Sequence, residues 1–399
     1  MTTDVRREER PPRTRRWILL AALLVLLALA GGAVWRFVRA NVNVGGVLGE
    51  GAVAELQTPP GFAISVFASG LEGPRLMAFS PDGVLHVAER AGGRVVALED
   101  RDGDGRAEEP RVVAAELDQP HSLAWREGHW YVGVPNGIQR LDDLDGDGVA
   151  ESRTAIVDDV PAGGFHRTRT VLFLPDGRML LSVGSSCNVC VEEDPRRAAI
   201  LVYPGPEGGE AALFATGLRN AVGLALRPGS DELWATNNGR DLLGDDQPPE
   251  TVNRVREGED FGWPHCINGH TEDPDAGFPG ACADVAAPAV EYQAHSAPLG
   301  LAFYEGEAFP DALHGDLFVA NHGSWNRSVP TGYDVIRLPF HDGLPTGEVE
   351  PFVTGWLRAD GSAAGRPVGV TTGPDGALYI SDDKAGLVYV LRWVGTDPS

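Results

Sequence analysis

One phrase recurs six times along this 399-residue chain: an apolar stretch, a tight turn, and a second apolar stretch, with polar or basic residues just upstream. The copies are RLMAFSPDGVLHVAE from Arg75, HSLAWREGHWYVGVP from His121, RTVLFLPDGRMLLSVG from Arg169, AVGLALRPGSDELWATNN from Ala221, LGLAFYEGEAFPDALHGDLFVANHG from Leu299 and VGVTTGPDGALYISDD from Val368. Short strands repeating at roughly fifty-residue spacing define a radial repeat, here an all-β, six-bladed β-propeller of four-stranded blades. Blades one and two show all four alternating strands. The sixth copy has three strands before the chain ends, so FAISVFAS, residues 62–69, is expected to supply its missing outer strand.

A propeller sorts its loops. Turns between strands one and two, and between three and four, lie on one face; the remaining connections lie on the other. The PDG turns at Pro81, Pro175 and Pro374 fall on the first face. The long loops GSSCNVCVEEDPRR, NNGRDLLGDDQPPE and ANHGSWNRSVPTGYD fall on the second, together with Arg75, His121, His166, Arg167, Arg169, Arg219, Asn220, His295 and Arg366. Long loops on a rigid scaffold are where function concentrates. Arg75, Arg169, Arg219 and Arg366 converging on one funnel imply an anionic ligand, a small polycarboxylate or phosphate, unless each pairs locally with a carboxylate. His166, in a Gly-flanked loop, is the candidate general base.

The formal net charge of −24 excludes nucleic acid as a natural partner, although the first forty residues are basic. Residues 17–35, WILLAALLVLLALAGGAVW, match the ~30 Å hydrocarbon core of a bilayer, with six arginines before them and two after. The sequence therefore predicts a cytoplasmic tail (1–16), one transmembrane anchor (17–35), a linker (36–56), an extracytoplasmic propeller (57–394) and a short tail (395–399). A cleaved signal peptide ending near Ala28-Leu29-Ala30 is the alternative. In an oxidising compartment, Cys187 with Cys190 and Cys266 with Cys282 read as local disulfides, the alternative being a four-thiolate zinc site. The single lysine, Lys384, reads as compositional bias.

Two Asp-rich loops, from Asp100 and from Asp143, match the first half of a calcium loop but have Arg111 and Thr154 where its last acidic ligand belongs. They lie on the turn face. The loop from Asn237 to Glu250, on the funnel face, offers free carbonyls beside Gly239 and hard oxygens at Asp241, Asp245, Asp246 and Glu250.

From about Pro59 to Trp393 the chain resembles the pyrroloquinoline quinone (PQQ) dependent sugar dehydrogenases of the soluble glucose and aldose type, and most of all their L-sorbosone dehydrogenase-like branch. The resemblance is carried by FHRTR at 165–169, VGSSCNVC at 183–190, GLRNAVGLAL at 217–226, DDQPPETVNRV and DFGWPHC within 245–266, HSAPLGLAFY at 295–304, HGSWNRSVPTGY at 322–333 and GRPVGV at 365–370. It implies oxidation of a sugar by hydride transfer to PQQ, with Ca²⁺ polarising the quinone, His166 as the base, and a lactone or acid as product. It further implies Arg219, Asn220 and Arg366 on the cofactor, a Ca²⁺ on the carbonyls of Gly239 and Arg240, and a second, structural Ca²⁺ at Glu250 and a carbonyl near Phe261. Glucose-oxidising relatives use a lysine where this chain has NHGSWNRS, so His322 or Arg327 is expected to substitute. Electrons would leave to a membrane quinone or cytochrome. Rival readings are a calcium-dependent lactonase or esterase propeller, which would converge acidic side chains on the axis, and a non-catalytic binding propeller.

Overall fold

The computed structural model describes Gly31, Gly32, Val53 and residues 55–395. Gly31 and Gly32 are helical; the rest of the expected anchor, its basic tail and most of the linker lie outside the described residues. Among the described residues no helix is long and apolar enough to cross a membrane.

Six four-stranded antiparallel sheets follow one another along the chain. Their innermost strands are Pro74–Phe79, Ser122–Arg126, Val171–Phe173, Leu224–Leu226, Pro298–Phe303 and Pro367–Thr372. Each blade then steps outward strand by strand, as in the first: Leu85–Glu89, Arg94–Leu98, Arg111–Ala114. The sixth blade is closed by Phe62–Ala68, which runs antiparallel to Leu387–Trp393 in the register Phe62 to Trp393 and Val66 to Tyr389. The expected closure is borne out. It pairs both ends of the propeller in one sheet and leaves no long free edge.

Second and third strands such as Leu85–Glu89 and Ala199–Tyr203 are buried at every residue, whereas the outermost strand Phe62–Ala68 alternates along most of its length. Both faces of an inner strand meet a neighbouring blade, so period-two patterning fades into continuous apolar runs. Burial accordingly divides into wedges. Tyr131 and Ile138 pack with Leu181 and Leu201 between blades two and three; Phe214 and Leu218 pack with Leu233 and Phe261 between blades three and four; and Phe318, Phe352 and Tyr389 pack between blades five and six.

Near the axis, backbone meets backbone. A Cβ on Gly223 would lie 2.2 Å from the Leu299 carbonyl of the next blade, and one on Gly133 would lie 2.3 Å from the Arg169 carbonyl. Hydroxyls bridge the same seams: Thr236 Oγ1 donates to the Leu299 carbonyl at 2.8 Å and Ser381 Oγ to that of Arg75 at 2.6 Å. The inner strands also line an axial cavity of about 410 Å³, whose only ionisable lining residue is Glu305. The polar chemistry lies elsewhere, on the loop face.

Candidate active site

The loops sort as the repeat requires. The PDG turns join first and second strands, and hydrogen bonds tie the long loops to the residues that enter the inner strands. Arg219 reaches the loops of blades three and four, His295 bonds the Gly244 carbonyl, and Arg75 reaches Asp383 in the loop of blade six. One excursion breaks the simple scheme. Residues 256–289, between the third and fourth strands of blade four, fold back to the funnel side: Arg240 is bonded there by Asp273 and Asp275, and Trp263 donates to the Asn188 carbonyl. Both expected disulfides form, Cys187–Cys190 and Cys266–Cys282. The first holds the loop that carries Asn188; the second staples the excursion.

His166 enters blade three beside an exposed Phe165. Its Nδ1 lies 2.9 Å from Ser185 Oγ and 3.1 Å from the Ser185 carbonyl. Ser185 Oγ spends its own proton on the Cys187 carbonyl, 2.7 Å away. Both groups at Nδ1 therefore accept, which places the ring proton on Nδ1 and leaves the Nε2 lone pair for a substrate. Burial, with Arg219 nearby, pushes the imidazole down to about 3, so it stays neutral at physiological pH. Gly184 makes the approach possible: a Cβ there would lie 2.5 Å from His166 Cβ and 2.6 Å from Asn220 Oδ1. Asn220 is held in turn by Asn237 and Asn238.

The arginines do not form the free ring expected from sequence. Arg169 is fully buried against the carbonyls of Pro161, His166 and Thr168 and shapes the His166 loop from behind. Burial, with Arg197 and Arg167 close by, pushes it down to about 9. Arg366 donates to the carbonyls of His322 and Gly323 and lies over the Tyr333 ring. Arg75 donates to Asp383 Oδ2 at 2.5 Å and to His121 Nδ1 at 3.2 Å, while His322 Nε2 lies 2.9 Å from Asp383 Oδ1. A buried relay, His322–Asp383–Arg75–His121, thus links blades five, six, one and two across the ring closure.

What converges is the surroundings of Asp383. Arg366 depresses both Arg75 and Lys384, after burial, and Arg75 does the same to Arg90, which places four cations in one electrostatic neighbourhood. Against them stand Asp383, held well below the usual carboxylate range because His322 and Arg75 overcome its burial, and Asp382, pushed up to about 6 by burial. His121 adds an orphan. Its Nδ1 accepts from Arg75, so the proton sits on Nε2, a buried donor without a partner. By six-fold geometry this cationic wall, at the entries to blades six and one, faces His166 and Asn220 at the entries to blades three and four. A cluster of cations and an orphan donor opposite a neutral imidazole fit a polycarboxylate such as PQQ. Lys384 lies in the same neighbourhood. The segment SDDKAG follows the second strand of the sixth copy, so the repeat itself places it on the funnel face.

Other expected residues are committed elsewhere. Arg327 is bonded to the Asp245 carbonyl and the Asp246 carboxylate; His322 stays in the cationic cluster, oriented by Asp383 and pushed down to about 4 by burial and Arg366. Arg219, 3% exposed, spends its guanidinium on protein oxygens, among them the Gly239 carbonyl at 2.7 Å. A carbonyl already held by a cation is a poor calcium ligand; the Arg240 side chain is paired with Asp273 and Asp275. Glu250 accepts the amides of Gly239 and Ala297 and is pushed up to about 7 by burial, whereas Phe261 packs into the apolar wedge between blades three and four. Of the carbonyls expected to hold calcium, that of Gly239 is taken by the Arg219 guanidinium. The Asp100 and Asp143 loops spend carboxylate oxygens on their own amides, as in Gly103 N–H to Asp100 Oδ1 and Gly146 N–H to Asp143 Oδ1.

Fold and site together define a six-bladed propeller whose loop face gathers a neutral histidine and a cluster of cations. Residues 56–394 match the TrAA12-like family model, and the chain belongs to that family. It is 34% identical over 219 residues to an uncharacterized protein of Borreliella burgdorferi, covering 54% of this chain and 57% of that one. It is 25% identical to the PQQ-dependent pyranose dehydrogenase of Coprinopsis cinerea, over 85% of this chain and 54% of that protein. The chain thus spans little more than half the length of these curated relatives. The holo form of the PQQ domain of the Coprinopsis cinerea pyranose dehydrogenase superposes with a TM-score of 0.71 at 23% identity, covering 84% of this chain and 97% of that one, and shares the fold. The resemblance to PQQ-dependent sugar dehydrogenases holds at family level; the L-sorbosone branch has no counterpart among these relatives.

Proposed function

We propose that this chain is a PQQ-dependent dehydrogenase that oxidises a sugar at a CH–OH carbon, an aldose giving a lactone and an aldehyde hydrate an acid. The observation that supports it best is the pairing of a neutral, tautomer-fixed His166 with a cationic wall on the opposite side of the funnel. Arg75, Arg90, Arg366 and Lys384 would hold the carboxylates of the cofactor. Bound there, PQQ supplies the two-electron acceptor.

The chain's own residues do the proton chemistry. His166 Nε2 takes the hydroxyl proton as the carbon loses its hydrogen, and Ser185 holds the ring through Nδ1–H as charge develops. Asn220 stands beside that ring and orients what binds there. No step is assigned to calcium. An apolar N-terminal anchor would keep the propeller at an extracytoplasmic membrane surface, where a quinone or cytochrome could take the electrons.

The test is reconstitution with PQQ and a dye-reduction assay across a sugar panel. A His166→Ala variant should retain the cofactor and lose roughly 10²–10⁴ in kcat. Unchanged turnover would remove His166 from the role of base, and failure of every sugar would remove the oxidoreductase reading.

A further inference from the structure

The arrangement around Arg219 goes beyond the reading above, on which its second test rests. Nε donates to the Asn188 carbonyl at 3.0 Å, Nη1 to the carbonyls of Gly239 at 2.7 Å and Asn238 at 3.4 Å, and Nη2 to Asn188 Oδ1 and Asp241 Oδ2, both at 2.9 Å. Five N–H donors meet five oxygens from two adjacent loops. The cage is itself braced: Asn188 Nδ2 donates to the Asp241 carbonyl at 3.0 Å, the Asp241 amide donates to Asn188 Oδ1 at 2.7 Å, and Trp263 Nε1 caps the Asn188 carbonyl at 3.3 Å.

We infer that the Arg219 guanidinium is the resident cation of this oxygen cage and that the chain binds its anionic quinone without a divalent metal. Calcium gathers six to eight oxygens at about 2.3–2.6 Å. At the Gly239 carbonyl it would have to enter the space that Nη1 already fills, beside a fixed positive charge. The one carboxylate in the cage, Asp241, is already paired with that charge. Asp273 and Asp275 are paired with Arg240 and cannot supply a replacement. An arginine keeps its charge at every accessible pH, so the positive pole of the site is built into the chain instead of being recruited from solution.

Terbium decides the cation without any cofactor. The full chain, stripped with EDTA, is titrated with Tb³⁺ while emission sensitised by tryptophan is followed, with Trp263→Phe as the blank for ions held at the Asp-rich loops of the other face. The native chain should give no emission above that blank. Arg219→Gln should gain a saturable, Trp263-dependent signal that Ca²⁺ displaces. Such a signal from the native chain, or none from a folded Arg219→Gln, overturns the inference; the native titration decides even where the variant does not fold. PQQ titrations in EDTA and in Ca²⁺ then separate the two readings. A linked ion typically changes affinity by about 5- to 150-fold, and the expected change here is under about twofold. Uptake only with Ca²⁺ overturns this inference alone. No uptake in either buffer overturns the PQQ reading and leaves the terbium result to decide the cation.

Discussion

Asp383→Asn is the sharpest perturbation of the funnel, because one carboxylate there serves two charged or polar partners on two other blades. Arg75 is 5% exposed along its side chain and its one salt bridge is to Asp383. Removing one partner of a buried pair leaves an uncompensated charge and costs about 3–5 kcal/mol. For a propeller of roughly 340 residues, an unfolding entropy of about 2.1 cal/mol/K per residue gives ~0.7 kcal/mol per degree, hence a fall in Tm of ~4–7 °C. Calorimetry on Asp383→Asn and on Arg75→Met/Asp383→Asn completes the argument. The double variant removes the orphaned charge as well, so it should recover a large part of the loss. The carboxyl is held below its unfolded value of ~3.9, so its stabilisation is present above that pH and lost as pH falls further. The gap between native chain and variant should therefore narrow below pH ~4. A Tm within one degree of native, or a double variant less stable than the single, would refute the reasoning.

The acid limb of kcat/KM should lack a step near the ordinary histidine value of ~6.5, because burial holds His166 at about 3; a rate flat from pH 8 to pH 5 is expected, and a half-maximum near 6.5 would show that the active base is a solvated histidine. Truncation to residue 70 should abolish soluble expression. Phe62, Ile64, Val66 and Phe67 pack against blades five, six and one, and at about 1.5–3 kcal/mol each their loss approaches the whole ~5–15 kcal/mol stability of a typical domain. A soluble, monomeric truncate with native Tm would show that the ring does not depend on this strand.

The fold was legible because each blade repeats one local rule, and because closure was implied by arithmetic: a sixth copy with three strands and an unassigned strand upstream of the first. Face sorting was legible for the same reason, since it follows from strand order alone. What escaped was the excursion at residues 256–289. Its route back to the funnel is fixed by Arg240 meeting Asp273 and Asp275 and by Trp263 meeting Asn188, contacts between residues far apart in sequence. No periodicity encodes them.

The arginines show where residue type ceases to predict role. Arg75, Arg169, Arg219 and Arg366 all stand in or within a few residues of the start of an inner strand, and sequence gives little reason to separate them. Their surroundings do. Arg169 finds only carbonyls and becomes a strut behind the His166 loop; Arg219 finds five oxygens and becomes a fixed cation. Arg75 finds a carboxylate shared with a histidine and becomes the middle of a relay, and Arg366 lies beside it on the carbonyls of His322 and Gly323. Similar places in four blades thus yield a strut, a caged cation, the middle of a relay and a cation held on carbonyls. The division follows from which loop each blade places overhead, and the strut behind His166 and Ser185 beside it leave one of its ring nitrogens unclaimed.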